Sequence, residues 1–329
     1  MHDRIKTMNE ASVNGKGGAN LLDDHVFQFD FLNDSFDKLP PKLKAIIDDK
    51  NEREKLIIYI NPPYAEASNI HTKTGTGSNR KGLSDSYVKT TYKDSLGRAG
   101  NELFAQFFAR VVREIPSCHL AVFSTLKILQ GPNFTGFRQL FRAKLGRIFL
   151  VPANTFDNVR GAFPIGFQIW DTAVKEEFKM TTADIYDAHG DLIGKKNIYA
   201  YQKGTFIIDW LRPFYDKEGK RIAYLRFLGT DFQNNNGVFL TLKPSQNDLK
   251  QVKGNWVTRK NLIQMCIYFS VRHCIEATWI NDRDQFLYPS NNWVNDIEFQ
   301  TDCIIYTLFH SQNRISHVHG TNHWIPFTE

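Results

Sequence analysis

The chain has 329 residues, of which 42% are hydrophobic and 13% aromatic, enough to bury the core of one large domain or two smaller ones. Its formal charge of +6 is a modest excess that suits a nucleic-acid partner without requiring one. The four cysteines are widely spaced, which predicts reduced thiols in a cytoplasmic protein rather than a disulfide framework. No signal peptide is recognised and no apolar run approaches membrane-spanning length, so we expect neither secretion nor a membrane partner.

The first stretch of the chain carries little pattern. Residues 1–24 are polar and contain three glycines that no strand precedes, which predicts a flexible segment rather than a cofactor loop. Val26–Phe29 reads as a strand, and Asp30, Phe31 and Leu32 follow it. Residues 36–53 are typical of a short helix or an irregular crossover.

A short strand followed by two prolines is the most distinctive feature of the sequence. Leu56–Ile60 is apolar and rich in β-branched residues, which predicts a buried strand. Pro62 and Pro63 come directly after Asn61, and they fix φ and cannot donate to a sheet. The sequence therefore predicts a stiff corner at the carboxyl edge of a parallel sheet, where open α/β sheets bind ligands.

The chemistry of that corner is specific. The side-chain oxygen of Asn61 and the carbonyl of Pro62 are acceptors that could both face one amino group. Tyr64 offers a flat ring on which a base could stack. Fixed acceptors of this kind stabilise the positive charge that develops on an attacking nitrogen. The structural alternative is a strand that ends in a Pro-Pro turn beside a packing tyrosine.

Residues 65–100 contain few large apolar side chains and are predicted to form a long loop without regular structure. A loop in this place is either a lid or DNA-contacting segment over the corner, or an ordinary solvated loop. Its basic residues could neutralise phosphates. The DNA-contacting candidates are Lys73, Arg80, Lys81 and Arg98, with Arg160 further along the chain.

Strands and helices alternate from residue 101 to about 175, which indicates a parallel, doubly wound sheet. Apolar residues at helical spacing predict helices at 101–115, begun by Asn101, and at 134–145. Strands are predicted at 120–123 and 148–151. Two further apolar strands flank a glycine-containing link at 156–163, which predicts a hairpin and so antiparallel strands at one end of the sheet. Phe163 lies in that link and is the candidate for contact with a bound base, or else a purely structural ring.

The pattern of apolar and polar residues changes after residue 176. Strand-like runs at 185–201 and 206–228 and a helix at 262–275 predict an α+β region. Aromatic and basic residues alternate there, as at Tyr224, Arg226 and Phe227, which is typical of a core and less often of a nucleic-acid surface. The histidines of the tail lack the spacing of a metal site, so no metal is expected.

Asn61-Pro62-Pro63-Tyr64 resembles the NPPY motif of N6-adenine-specific DNA methyltransferases, and the order of the other elements is similar to that of the larger restriction–modification proteins. The resemblance implies a Rossmann-like methyltransferase sheet, incomplete at its N-terminus, over residues 25–175, with a C-terminal α+β region over 176–329. The last strand of such a sheet is inserted antiparallel through a hairpin. It implies S-adenosylmethionine as cofactor and an adenine flipped out of DNA as substrate. Asp30 and Phe31 match the acidic and apolar residues at the cofactor's adenine end, and Phe163 matches an aromatic residue that packs on the flipped base.

The Gly-x-Gly loop of that family has no counterpart before Asp30. We therefore expect a fragment or split subunit that works with a missing N-terminal half or with other restriction–modification subunits. Two alternatives stay open. One is a cofactor-less DNA-binding or specificity subunit, and the other is a methyltransferase for RNA or for a protein amide.

Overall fold

The computed structural model describes residues 26–62, 86–156, 159, 161, 163–201, 206–229, 232–282 and 284–315. The predicted flexible segment 1–24 lies outside these residues. The chain divides into two compact units. One unit comprises Met1–Ile148 and Phe167–Thr181, and the other comprises Phe149–Gly166 and Thr182–Glu329.

The helices and strands of the described chain follow in order. Those up to residue 152 are α1 (Pro41–Asp48), α2 (Lys50–Arg53), β1 (Ile57–Ile60), α3 (Tyr87–Thr91), α4 (Lys93–Leu96), α5 (Leu103–Glu114), β2 (His119–Thr125), α6 (Lys127–Gln130), α7 (Thr135–Leu140) and β3 (Lys144–Pro152). Those that follow are β4 (Pro164–Asp171), β5 (Met180–Tyr186), β6 (Leu192–Tyr199), α8 (Ile207–Leu211), β7 (Ala223–Arg226), β8 (Phe239–Thr241), α9 (Gln246–Lys250), β9 (Gly254–Val257), α10 (Leu262–His273) and α11 (Ile297–Phe309).

Two sheets are formed. The larger has six strands in the order β1-β2-β4-β3-β5-β6, and the smaller has the order β8-β7-β9. β1 pairs with β2 in parallel, with Tyr59 opposite Ala121, and β3 pairs with β5 in parallel. Together with the helices, this makes the chain a mixed α/β protein, as the sequence predicts.

β1 forms where it is predicted, but it is not a buried strand. β1 is an edge strand of the larger sheet, and its side chains alternate between exposed and half-buried. Ile57 is 68% exposed and Tyr59 is 61% exposed. The apolar run indicates a strand correctly, whereas its burial depends on which strands lie beside it, and that is set by residues far away in sequence.

The core of the first unit is built on α5. The predicted apolar stripe is confirmed, since Leu103, Phe104 and Phe108 are buried along one face of the helix. The ring of Phe104 stacks on that of Phe134 with centroids 5.4 Å apart. The predicted start at Asn101 is wrong, because a 3-10 turn occupies 97–101 and Glu102 precedes the helix.

The predicted hairpin is present, but it lies inside the larger sheet rather than at one end of it. β3 and β4 are consecutive in the chain and adjacent in the larger sheet, and the Ala153 N–H donates to the Phe163 carbonyl at 2.8 Å where they meet. β5 and β6 are joined by a turn in which the Asp187 N–H donates to the Asp191 carbonyl at 3.0 Å. Gly190 adopts a φ of 91° in that turn, a conformation that favours glycine.

The second unit has its own core. The smaller sheet is antiparallel, with Leu225 of β7 opposite Leu240 and Asn255. Leu225 is fully buried in a cluster with Tyr268 and Phe269 of α10. α10 occupies Leu262–His273, within the range predicted for this helix.

Several predicted elements differ from the structure. Residues 26–29 form no strand, and residues 86–100, predicted as loop, contain α3, α4 and most of a 3-10 turn. The helix predicted at 134–145 is a 3-10 turn followed by the short α7. The strand-like run at 206–228 contains α8 as well as β7. Within the described residues, no helix has both the length and the apolar character that crossing a bilayer requires.

Candidate functional site

The carboxyl end of β1 places the predicted corner as the sequence indicates. Asn61 follows directly after the last residue of β1 and is exposed, and Pro62 after it is buried. An exposed amide beside an anchored proline is a polar group on a stiff support. Pro63 and Tyr64, the other two residues of the predicted site, lie outside the described residues.

An aromatic surface precedes this corner, and the sequence analysis did not identify it. The ring of Tyr59 lies 6.5 Å from that of Phe123 and 6.2 Å from that of Phe167, measured between centroids. Phe123 and Phe167 are 4.7 Å apart. The three rings belong to β1, β2 and β4, so they form a row across the sheet. The alternation of side chains along β1 could have indicated this surface, because Ile57 and Tyr59 lie on the same face of the strand and both are exposed.

Asp30 forms a capped turn. Its Oδ1 accepts from the Leu32 N–H at 3.0 Å, and its Oδ2 accepts from Asn33 Nδ2 at 2.8 Å. Its backbone carbonyl accepts from Asn33 and Asp34 N–H groups at 3.1 and 2.8 Å. Phe31 stacks on Phe107, with centroids 5.3 Å apart and ring planes 6° apart. Both predicted cofactor residues therefore have local structural roles, whatever else they bind.

Arg110 organises this turn, and sequence reasoning missed it because it lies within an apolar helix. Only 1% of Arg110 is exposed. Its guanidinium donates to the carbonyl oxygens of Phe31 and Asp34, and its Nε donates to Glu114 Oε2 at 3.1 Å. The guanidinium also lies 4.3 Å from the ring centre of Phe36. A buried arginine in this arrangement is satisfied by hydrogen bonds and aromatic faces together.

A cleft of about 410 Å³ opens beside Arg110. It is lined by Asn33, Ser35, Phe36, Tyr87, Arg110 and Glu114. The Tyr92 hydroxyl donates to Glu114 at 3.0 Å. Burial, and then this hydrogen bond, raises the pKa of Tyr92 to about 12.

The two predicted cofactor residues make local contacts in the described structure. Each oxygen of the Asp30 carboxylate accepts one hydrogen bond, which leaves further lone pairs for a ligand, and the Phe31 ring stacks on that of Phe107. No strand, glycine loop and helix succeed one another in the part of the chain that the structure describes. Among these residues, no group of three or more His, Cys, Asp or Glu side chains could hold a metal ion either.

The other predicted residues are dispersed. Phe163 is half-buried, and its carbonyl holds the end of the β3–β4 hairpin. Arg98 is exposed in the 3-10 turn 97–101. Outside the described residues lie Lys73, Arg80, Lys81 and Arg160.

The aromatic and basic run on β7 belongs to the core of the second unit. Tyr224 is buried, and Arg226 donates through Nε to Asp248 at 2.8 Å and through Nη1 to the Gly237 carbonyl at 2.8 Å. The alternation here thus reflects a packed strand with a paired arginine, which is the interpretation favoured by the sequence.

Comparison with known protein families finds no match, and comparison with curated proteins finds none. Comparison with solved structures finds similarity to the Type IIL restriction-modification enzyme MmeI in complex with DNA, with a TM-score of 0.30 and 14% sequence identity. The match covers 64% of this chain and 27% of that one, so this chain spans little more than a quarter of its length. At this level of similarity, function rests on the chain's own residues.

Proposed function

We propose that this chain is the adenine-binding part of a DNA methyltransferase that acts on the N6 amino group of adenine, with S-adenosylmethionine as the methyl donor, in a restriction–modification system. One observation carries the proposal. Asn61 and Pro62 directly follow a strand that pairs in parallel with its neighbour, and Asn61 is exposed there. That is where a sheet presents side chains to a ligand.

The chemistry assigned to the corner is acceptance of hydrogen bonds. The target adenine leaves the duplex, at a cost of a few kcal/mol of stacking and pairing. The Asn61 amide oxygen and the Pro62 carbonyl accept from its amino group, which localises the nitrogen lone pair and stabilises the charge that develops. Tyr64 is assigned the face of the base. No protein nucleophile is required, since positioning supplies most of the rate.

The order of strands in the larger sheet supports the proposal. The resemblance implies a last strand that is inserted into the sheet through a hairpin. β4, the second strand of the β3–β4 hairpin, lies between β2 and β3 rather than at an edge. The sequence Asn61-Pro62-Pro63-Tyr64 does not by itself require this strand order, so the order is a second and separate argument for the proposal.

The cofactor is the point that separates the proposal from its main rival. Because no strand, glycine loop and helix succeed one another in the described residues, a DNA-binding or specificity subunit that acts only in a complex is the second candidate. Calorimetry with S-adenosylmethionine on the full chain distinguishes the two. Heat of binding favours the enzyme, and no heat combined with intact DNA binding favours the subunit.

The substrate class is tested by competition. The full chain is incubated with methyl-labelled S-adenosylmethionine and a random-sequence duplex DNA pool, with RNA and denatured protein as parallel substrates. We expect label in DNA, recovered as N6-methyl-2′-deoxyadenosine after digestion to nucleosides. Label in RNA or in protein amides instead would contradict the proposal.

A further inference from the structure

Two neighbouring loops of the second unit bring together five exposed basic side chains. One loop, residues 216–221, precedes β7, and the other, residues 258–260, follows β9, which pairs with β7. The basic residues are Lys217, Lys220, Arg221, Arg259 and Lys260. We call this set the two-loop basic surface. The two acidic residues within these loops are Asp216 and Glu218.

Asp216 holds the two loops together. Its Oδ2 accepts from the Thr258 hydroxyl at 2.8 Å, across the loops. Its Oδ1 accepts from the backbone N–H groups of Glu218 and Gly219 at 3.1 and 3.0 Å. The hydrogen bond from Thr258, followed by those two, lowers the pKa of Asp216. This carboxylate is therefore an internal clamp of the surface.

Asn261 is a buried residue that forms hydrogen bonds with the backbone next to both loops. It is only 1% exposed, and its Nδ2 donates to the carbonyls of Phe214 and Trp256 at 3.1 Å each. Its Oδ1 accepts from the Thr258 N–H at 2.8 Å. Because a buried amide with three bonds leaves little freedom, the basic residues project from a rigid base.

Within the part of the chain that the structure describes, none of the five cations is held in a short ion pair, although the charge of Lys260 helps to lower the pKa of Asp216. The guanidinium of Arg221 lies 4.5 Å from the ring centre of Trp256. This contact with the ring orients the planar guanidinium and uses none of its N–H donors. A guanidinium presented in this way matches the paired oxygens of a phosphate.

We propose that the two-loop basic surface binds the phosphodiester backbone of duplex DNA, independently of base sequence. Cations on two loops that a hydrogen bond joins can each neutralise a phosphate, and counterions condensed on the DNA are then released. The inference rests on the proposed function for the identity of the nucleic acid. It names contacts outside the corner at Asn61, so it can succeed or fail separately.

The test compares two triple variants of the full chain that change net charge equally. Lys217, Lys220 and Lys260 are replaced by Gln in one, and the exposed Lys50, Lys175 and Lys179 in the other. Binding to a labelled random-sequence duplex is measured by anisotropy from low to moderate KCl. The first variant should bind about 10- to 100-fold more weakly, and its slope of log affinity against log salt should fall by about 2 to 3. The second should bind as the parent does.

A third variant tests geometry without changing charge. A Cβ on Gly219 would lie 2.9 Å from Thr258 Cβ and would collide with the Asp216 carboxylate. Gly219→Ala should therefore weaken DNA binding although every cation is retained. Circular dichroism and thermal unfolding establish that the variant is folded before its affinity is compared.

Three outcomes would overturn the inference. These are an unchanged affinity and salt slope in the first triple variant, an equal loss in the control triple, or tighter binding of single-stranded RNA than of duplex DNA. Failure of methyl transfer does not bear on these measurements. A chain that binds DNA through this surface but transfers no methyl group would refute the proposed chemistry and leave the surface established.

Discussion

Arg110, in the middle of α5, donates a hydrogen bond to the carbonyl oxygen of Phe31, 79 residues earlier in the chain. Its second terminal nitrogen donates to the Asp34 carbonyl at 2.6 Å. One buried side chain thus ties the turn at residues 30–34 to the central helix of the first unit. The position of this turn therefore depends on Arg110, which no local sequence pattern connects with residues 30–34.

Replacing Arg110 should destabilise the protein strongly. Arg110→Ala leaves two backbone carbonyls without their donor and removes one of the two donors to the Glu114 carboxylate, so we expect a loss of about 3 kcal/mol in the free energy of unfolding. Urea denaturation of the full chain measures it. Arg113→Ala, at an exposed position of the same helix, is the control and should change stability by less than about 0.5 kcal/mol. Equal effects of the two substitutions would contradict the role of Arg110.

A pair of stacked histidines should make the second unit sensitive to acid. The rings of His273 and His310 are 4.5 Å apart, and the ring Nε2 of His273 is 2.9 Å from the Val238 carbonyl. Burial, and then the neighbouring His310, lowers the pKa of His273 to about 4. Burial also lowers the pKa of His310. The unfolded chain takes up these protons near pH 6.5, so it binds more protons than the folded chain below that pH.

Stability should therefore fall as the pH decreases from about 6.5 towards 4, and level off below that range. For His273 we expect on the order of 2 kcal/mol. His273→Gln keeps a donor for Val238 and should flatten the dependence of unfolding free energy on pH. His119→Gln, at an exposed site, should leave the dependence unchanged. A parent-like slope in His273→Gln would show that His273 is not the titrating group.

Two glycine substitutions should have opposite effects. A Cβ on Gly254, at the start of β9, would meet the Leu225 carbonyl and lie 2.6 Å from the ring of Tyr224, so Gly254→Ala should destabilise by about 2 to 4 kcal/mol. Gly136 lies in α7 with nothing within 4 Å of such a Cβ. Gly136→Ala should stabilise by about 0.5 to 1 kcal/mol, because glycine is unfavourable in a helix. Thermal unfolding of both variants checks the signs.

Elements with a strong internal period could be predicted from the sequence. α5 carries buried residues at helical spacing, and the β3–β4 hairpin follows from two apolar runs around a glycine-containing link. The position of Asn61 at a strand end followed from the prolines after it. In each case the deciding information lies within about 15 residues.

What could not be predicted depends on distant partners. Residues 26–29 look like a strand, but Phe29 instead packs around Arg110, with the guanidinium 5.9 Å from its ring centre. Residues 86–100 look too polar to order, yet Val88 in α3, Leu96 in α4 and Ala99 after it are all buried. The exposure of β1 likewise depends on which strands are its neighbours in the sheet.

The central claim is that the Asn61 side chain accepts from the amino group that becomes methylated. The most direct test is Asn61→Ala, assayed by transfer of labelled methyl groups to duplex DNA beside Asn51→Ala, an exposed asparagine of the same unit. Loss of one preorganised hydrogen-bond partner should lower transfer about 100-fold or more. The Asn51→Ala variant should keep the parental rate, and both variants should unfold at the parental temperature. Transfer to adenine at the parental rate by Asn61→Ala would contradict the claim.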